Sequence, residues 1–217
     1  MGTTADQSAS VARRERNPRG QGDRLRDDVI AALARIVSDD ERMRPVSVSL
    51  RELAWEAGVT APAIYAHFAS VSEVAWAAAQ AGFAQLVAAM DMADEQAADR
   101  SAADRLIAQA HAYCRFAVEQ RGHFRLMFAV EPAVIGARLE DAAPPVREVL
   151  QRWQRAAARL GEDGVTMTDT ATAAMYLWSA VHGRLALTPL LTFAGEPGDV
   201  HQFVEQVVHE IIRVRHR

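Results

Sequence analysis

Apolar residues recur three and four positions apart along most of this chain, which is the spacing of one face of an α-helix. The first such stripe begins at Leu25 and ends at Val37, before the polar segment 38–42. No segment alternates apolar and polar residues as a half-buried strand does. The pattern therefore predicts an all-α fold whose first helix starts near residue 25.

Two short helices are predicted next. Ser49 and Glu52 form a capping box, in which each side chain accepts a hydrogen bond from the backbone at the start of a helix. That helix should end at Gly58, because glycine best tolerates the left-handed backbone of a tight turn. Thr60 can cap a third helix, with Pro62 in its first turn, where no intrahelical donor is lost. The result is a pair of helices joined by a glycine turn.

Longer helices are predicted in the rest of the chain. Ser70 and Glu73 form a second capping box, which opens a long helix. The segment 101–121 is apolar on more than one face, which predicts a central helix buried on most sides. The Pro144–Pro145 pair is expected to start a later helix, because proline is tolerated in a first turn.

The last two helices are predicted over residues 169–191 and 199–214, on either side of a turn that contains Gly195. The final helix carries an apolar stripe too wide for docking on one neighbour. Homodimers commonly pair one such patch with its own copy around a two-fold axis. We therefore expect a homodimer formed through the last two helices. The stripe consists of Val200, Phe203, Val204, Val207, Val208, Ile211 and Ile212.

Composition narrows the class of protein. Hydrophobic residues make up 50% of the chain and charged residues 24%, a balance typical of a folded globular protein. No run of eighteen uncharged apolar residues exists, and the N-terminus lacks the apolar stretch of a signal peptide. We expect a cytoplasmic protein without a membrane partner. The single cysteine, Cys114, cannot form an internal disulfide and is expected to be a small buried hydrophobe.

Charge is unevenly distributed along the chain. The net charge is −4, yet residues 10–26 hold six arginines against two acidic residues, a local balance of +4. Pro18 and Gly20 lie among these arginines, and no apolar period is present, so residues 1–22 are predicted to be a flexible basic arm. A solvated tail and a DNA-binding arm remain alternatives for this segment. The candidate DNA contacts of the arm are Arg13, Arg14, Arg16 and Arg19.

Two short helices joined by a tight glycine turn, behind a longer first helix, are typical of a helix-turn-helix that reads the major groove. The segments Ser49-Leu-Arg-Glu-Leu-Ala54, Ala57-Gly-Val-Thr60 and Ala63-Ile-Tyr-Ala-His-Phe68, with Ser70 and Glu73, resemble the DNA-binding domain of the TetR family. The resemblance covers roughly residues 25–75. It implies DNA contacts from Ser49, Thr60, Ala61, Pro62, Ala63, Tyr65 and His67.

The chemistry of these residues agrees with such roles. Thr60, Tyr65 and His67 can donate hydrogen bonds to phosphate oxygens, whereas the alanines and the proline can only make apolar contact with thymine methyl groups. Sequence reading is therefore expected to rely on DNA shape. Val71 stands where the family usually has Lys, and this departure puts one phosphate contact in question.

The rest of the chain resembles the C-terminal half of one TetR subgroup. The residues that carry this resemblance are Phe124-Arg-Leu-Met-Phe128 and Trp178-Ser-Ala-Val-His182-Gly183. Together the two resemblances imply a DNA-binding domain over 23–71 and a ligand-sensing and dimerisation domain over 72–217. The second domain is expected to contain a cavity for an apolar or aromatic small molecule. The candidate ligand-binding residues are His111, Phe116, Phe128, Trp153, Met175, Trp178 and His182.

The expected function is that of a sequence-specific transcription regulator, a repressor that its ligand releases from double-stranded DNA. The alternatives are a helical scaffolding or ligand-binding protein with a degenerate DNA-binding head, and an enzyme. The chain has no G-x-S-x-G, H-E-x-x-H, C-x-x-C or glycine-rich phosphate loop, so an enzyme is not expected, nor is a cofactor. His201, Glu205 and His209 span roughly 12 Å, too far to bind one metal ion without another element. No metal is expected.

Overall fold

Helices account for all the regular structure in the described part of the chain. The computed structural model describes residues 22–38, 48–128, 139–162, 169–193, 195 and 198–213. The all-α prediction is confirmed, and no helix in these ranges is both long and apolar enough to cross a membrane. The helices are α1 (Gly22–Ser38), α2 (Leu50–Ala57), α3 (Ala61–Tyr65), α4 (Val71–Gln96), α5 (Ala102–Glu119), α6 (Arg121–Phe128), α7 (Leu139–Glu162), α8 (Thr170–Phe193) and α9 (Val200–Arg213).

Buried apolar side chains form two clusters. The smaller one lies between α1, α2, α3 and the first turns of α4, and α6 adds Leu126 to it. We call α1–α3 with the start of α4 the head, and the remaining helices the body. The larger cluster fills the body, where α5 packs against α4, α6, α7, α8 and α9. The prediction of a central helix near residues 101–121 is thus confirmed, and α4 contributes to both clusters.

The helix caps of the head follow the predicted pattern. The Ser49 hydroxyl accepts a hydrogen bond from the backbone N–H of Glu52 at 3.2 Å, and the Glu52 carboxylate accepts from the N–H of Ser49 at 2.7 Å. Gly58 ends α2 with a φ of 66°, as expected of a left-handed glycine cap. Thr60 lies at the N-cap of α3, but its side chain makes no capping hydrogen bond. The predicted role of Thr60 is therefore right in position and wrong in chemistry.

The start of α7 differs from the prediction. The helix begins at Leu139, so Pro144 and Pro145 lie inside it rather than at its first turn. Proline lacks a donor only at its own position, and its φ near −65° is compatible with a helix. The helix therefore continues through both residues at two costs: each proline donates no hydrogen bond, and its ring crowds the carbonyl four residues earlier.

An ion-pair network ties α4, α5 and α7 together in the body. The Asp94 carboxylate accepts two hydrogen bonds from Arg105, both at 2.9 Å, one from Arg159 at 2.6 Å and one from Gln109 at 3.2 Å. Burial raises the pKa of Asp94, but the hydrogen bonds and charges of the two arginines outweigh this effect and hold it below its ordinary value. The network thus links the consecutive helices α4 and α5 to α7, which lies farther along the chain.

Candidate functional site

Helix α3 and its flanking residues have a polar exposed face and an apolar buried face. Ile64 and Phe68 are almost completely buried in the head, whereas Tyr65 is 61% exposed. Thr60 and His67 are exposed beside it. Pro62 is also exposed, and Ala61 and Ala63 are half-buried at the edge of the same helix. The helix thus has one face in the head core and the opposite face exposed.

The hydroxyl groups of Thr60 and Ser49 differ in whether they already form hydrogen bonds within the chain. Thr60 makes no capping bond, so its hydroxyl can donate to a partner. Ser49 donates to the Glu52 carboxylate at 2.8 Å while accepting from the Glu52 N–H. A contact from Ser49 to DNA would require breaking this local pair.

The predicted arm joins the head beside the α3 surface. A Cβ atom placed on Gly22, at the start of α1, would lie 3.2 Å from Cε1 of His67. Arg26 lies on the same helix, with its guanidinium 5.3 Å from the centre of the Phe68 ring. Helix α1 therefore begins next to His67. The four candidate arginines themselves, Arg13, Arg14, Arg16 and Arg19, lie outside the described residues.

Sequence reasoning missed the outward face of α2. Arg51 and Trp55 lie one turn apart and both are exposed, Trp55 by 80%. The buried residues Leu50, Leu53 and Ala54 define the inner face of this helix. The same helical period that identifies the inner face also places Arg51 and Trp55 on the opposite face, so the signal was present in the sequence.

In the body, three of the seven predicted ligand residues lie together. The Phe128 ring centre is 4.6 Å from that of His182 and 6.4 Å from that of Trp178. Phe124 adds a ring 5.0 Å from Phe128, and Tyr113 lies 5.7 Å from Phe124. We call these residues, with Phe83 against Phe128, the aromatic cluster. Tyr113 and Phe124 were not among the predicted ligand residues, although Phe124 belongs to the aromatic segment that suggested the site.

A chain of hydrogen bonds runs through the aromatic cluster. Trp178 donates from Nε1 to the Tyr113 hydroxyl at 3.0 Å, and that hydroxyl lies 2.8 Å from Nδ1 of His182. The indole can only donate, and no other described group lies within hydrogen-bond distance to accept from the Tyr113 hydroxyl. We therefore assign the Tyr113 proton to Nδ1, which places the proton of a neutral His182 on Nε2. Burial lowers the pKa of His182 and raises that of Tyr113, so both side chains are kept neutral.

The other predicted ligand residues have different surroundings. The Trp153 ring is fully buried, 5.8 Å from that of Tyr113, and Phe116 is buried in the body core. His111 faces α9 instead, with its ring 4.5 Å from that of His201. Met175 is 43% exposed on α8. The structure thus places His111 against α9 and leaves Met175 exposed on α8.

His111 also contacts Glu205, which lies one helical turn after His201 on α9. Its Nε2 lies 3.9 Å from Glu205 Oε1, and burial lowers its pKa. Among the described residues, no three His, Cys, Asp or Glu side chains are arranged to hold a metal ion. Cys114 is buried as predicted, and burial raises the pKa of its thiol to about 12.

The predicted dimer stripe is partly used inside the chain. Val204 and Val208 are buried in the body core, and Val200 and Val207 pack against it. The side chains of Ile211 and Ile212 are not among those that the structure describes. Among the side chains of the last two helices that the structure describes, the exposed large apolar ones are all on α8: Met175, Tyr176 and Leu187.

Comparison with known proteins places the chain among helical regulators. Residues 106–211 match the family model described as the tetracyclin repressor-like C-terminal domain. No curated protein matches the sequence. A structure of a protein with unknown function from Rhodococcus sp. RHA1 has 26% identity and a TM-score of 0.72, covering 89% of this chain and 96% of its own.

Two further structures extend this likeness at the level of the fold. A regulatory protein of the tetR family from Rhodococcus RHA1 has 19% identity and a TM-score of 0.66, covering 88% of this chain and 96% of its own. The fatty acid degradation regulator FadR from Bacillus halodurans has 13% identity and a TM-score of 0.68, with coverage of 91% and 96%. The arrangement of head and body is thus common to regulators of different organisms.

Proposed function

Because this chain belongs to the TetR family, we propose that it is a DNA-binding transcription regulator, a homodimeric repressor that an apolar small molecule releases from its operator. The observation that carries the proposal is the surface of α3, where exposed Thr60, Tyr65 and His67 stand over the buried anchors Ile64 and Phe68. A recognition helix must protrude in this way, because the major groove admits one helix.

The proposed DNA contacts divide into two kinds. Thr60, Tyr65 and His67 donate to phosphates, and Pro62 with its flanking alanines makes apolar contact with bases. Tyr65→Ala or His67→Ala should lower the affinity for operator and unrelated DNA alike, each by about two- to tenfold for the removal of one hydrogen bond. Fluorescence anisotropy with the DNA flanking the protein's own gene and with a scrambled duplex measures both affinities.

Met92→Ala is the matched control, since Met92 is 58% exposed on α4 in the body. It should leave both affinities unchanged. Unchanged binding in the Tyr65 and His67 variants would remove these residues from the interface. A protein that binds neither duplex would favour the alternative of a helical ligand-binding scaffold.

The arm is proposed to add phosphate contacts, because helix α1, which follows it in the sequence, begins next to His67. Deleting residues 1–20 removes Arg13, Arg14, Arg16 and Arg19, and each phosphate that an arginine neutralises releases counterions. The plot of log affinity against log salt should therefore become less steep, by about 0.9 for each phosphate that is no longer neutralised. Equal slopes for the full-length and truncated proteins would mean that the arm is only a solvated tail.

Dimerisation is proposed to occur through α8 and α9, with a two-fold axis that matches two half-sites about one DNA turn apart. Exposed Met175, Tyr176 and Leu187 on α8 support this surface. Leu187→Glu should yield a folded monomer in sedimentation, whereas Val118→Glu, at a comparably exposed position on α5, should stay dimeric. A dimeric Leu187 variant would place the interface elsewhere.

We propose that the effect of ligand binding reaches the DNA-binding surface through α6, which contacts both the head and the body. Phe124 and Phe128 lie in the aromatic cluster, while Arg125 donates to the carbonyl oxygens of Val37 at 2.9 Å and Ser38 at 3.3 Å, at the end of α1. A ligand that displaces the two rings would move α6 and with it α1. Such a ligand must bind the DNA-incompetent arrangement more tightly, with a coupling of about 1–3 kcal/mol.

Arg125→Gln tests this route. The variant should bind operator and ligand separately, but the ligand should lower its operator affinity by a smaller factor than in the wild type. Equal factors would exclude the Arg125 contact as part of the coupling.

A further inference from the structure

The aromatic cluster borders a fully buried hydrogen-bond donor. Trp153 has no exposed surface, and its Nε1–H has no hydrogen-bond acceptor among the described residues. Buried donors are almost always paired, because an unpaired one loses its hydrogen bond to water without replacement. An unpaired donor in a candidate ligand site therefore needs an explanation.

His182 supplies a second donor. Its Nδ1 receives the proton of Tyr113, so the proton of the neutral ring is on Nε2. Among the described residues no group is found to accept from this Nε2. Both donor side chains contact the same tyrosine: the Tyr113 ring centre is 5.8 Å from that of Trp153 and 6.4 Å from that of His182.

The acceptors of the same side chains are already used. The Tyr113 oxygen accepts from Trp178, and Nδ1 of His182 accepts from Tyr113. Phe124 and Phe128 contribute only ring faces and edges. These side chains therefore offer a bound molecule apolar surface and two N–H groups, without a charged group that would compensate an ion.

We propose that this site binds a neutral, mostly apolar molecule that carries a carbonyl-type acceptor oxygen, with Trp153 Nε1 as its buried anchor and His182 Nε2 as a second donor. This inference rests on the proposed ligand-sensing function. Phe124, Phe128, Trp178 and His182 are half-buried, so the molecule enters from their side. Its entry replaces ring contacts of Phe124 and Phe128, which are the side chains that α6 contributes.

Two probes of nearly the same shape test the need for an acceptor. We would titrate the full-length protein with 2-acetylnaphthalene, a ketone, and with 2-isopropylnaphthalene, a hydrocarbon. The ketone should bind about three- to tenfold more tightly, as expected for one additional hydrogen bond. In the ¹H–¹⁵N spectrum of the protein's four indole groups, the ketone alone should move the Trp153 Nε1–H resonance downfield.

Trp153→Phe removes the donor and should abolish the preference for the ketone. Trp55→Phe is the matched control, because Trp55 is exposed in the head, and it should retain the preference. Each variant also assigns its own indole resonance. The spectrum of the wild type tests the inference independently, should Trp153→Phe fold poorly.

Equal affinities for the two probes, with a stationary Trp153 resonance, would overturn the inference, and so would a failure of both probes to bind. Operator affinity measured in the same samples separates this result from the proposed function. Release by the hydrocarbon as strongly as by the ketone would leave the regulator intact and the ligand class wrong. A Trp153 shift without operator release would support the ligand class and contradict the release mechanism.

Discussion

The head and the body use polar side chains in opposite ways. In the head, Thr60, Tyr65 and His67 point outward over a small apolar core. In the body, Tyr113 and His182 bond to each other among aromatic rings. Exposed polar side chains like those of the head can bind a large charged partner such as DNA. A half-buried polar pair among aromatic rings, as in the body, is better suited to binding a small molecule that is transferred out of water.

The two regions also differ in how far apart the bonded residues are in the chain. The caps of the head join residues three apart, such as Ser49 with Glu52. In the body, Tyr113 and His182 are 69 positions apart, and Asp94 and Arg159 are 65 apart. The caps that begin the head helices therefore depend on neighbours in sequence, whereas these contacts of the body depend on tertiary packing.

The largest effect is expected where the two regions meet. A Cβ atom on Gly122 in α6 would overlap the backbone carbonyl of Ala34 in α1, which a side-chain movement cannot relieve. Gly122→Ala should therefore lower the free energy of unfolding by roughly 3 kcal/mol, at the upper end of overpacking costs. Urea unfolding followed by circular dichroism measures this loss.

Gly161→Ala is the control for this substitution, because nothing lies within 4 Å of a Cβ atom at that helical position. It should stabilise the protein by about 0.5–1 kcal/mol, since alanine is the better helix former. If both variants were equally stable, the close contact of α6 with α1 would not hold the head on the body.

The next effect tests the ion-pair network of the body. Asp94→Asn removes the charge that two arginines share, and breaking such a partly buried network should cost about 2–3 kcal/mol. Asp91→Asn, at a carboxylate that is 41% exposed and bonded to Arg152, should cost less than about 1 kcal/mol. Similar losses in the two variants would mean that burial does not strengthen the Asp94 network.

The same network predicts a pH dependence. Because the pKa of Asp94 is lowered on folding, its contribution to stability is present above the ordinary value of 3.8 and is lost as the pH falls through the lowered pKa. The stability difference between the wild type and Asp94→Asn should therefore shrink on acidification. A difference that is constant down to acid unfolding would contradict the charged role of Asp94.

A smaller effect compares one cap in each region. Ser49 and Ser101 both accept from a backbone N–H three residues later, at 3.2 Å in each case. Ser49→Ala and Ser101→Ala should each lower the free energy of unfolding by about 1 kcal/mol. Only Ser49→Ala should also weaken operator binding, because α2 braces α3. Equal operator affinities would show that this cap stabilises the fold without positioning the DNA surface.

The smallest effect concerns Trp55, the most exposed of the large apolar side chains that the structure describes. Trp55→Phe should change the free energy of unfolding by less than about 0.5 kcal/mol, since the side chain contributes little to packing. Trp178→Phe, which loses the hydrogen bond to Tyr113, should cost about 1 kcal/mol. Weaker operator binding by Trp55→Phe would add this residue to the DNA surface, and a large stability loss would contradict its peripheral role.

The sequence by itself determined the helical fold, the two-helix motif with its caps and the glycine turn at Gly58. These features depend on residues three or four positions apart, and such contacts are the same wherever the helix is finally packed. The order of the helices and the central place of α5 followed from the same periodicity. The prediction that Pro144 and Pro145 start a helix was wrong, because the preference of proline for the first turn does not exclude a helix that begins earlier.

Only the tertiary structure decided which polar groups of the body meet. Helical spacing could not tell that Tyr113 bonds to His182 while His111, half a turn earlier on the same helix, faces α9. It also could not tell that the Trp153 nitrogen is buried without a partner in the described part of the chain. Such contacts depend on the rotation and separation of helices that are distant in sequence, which packing of the whole body determines.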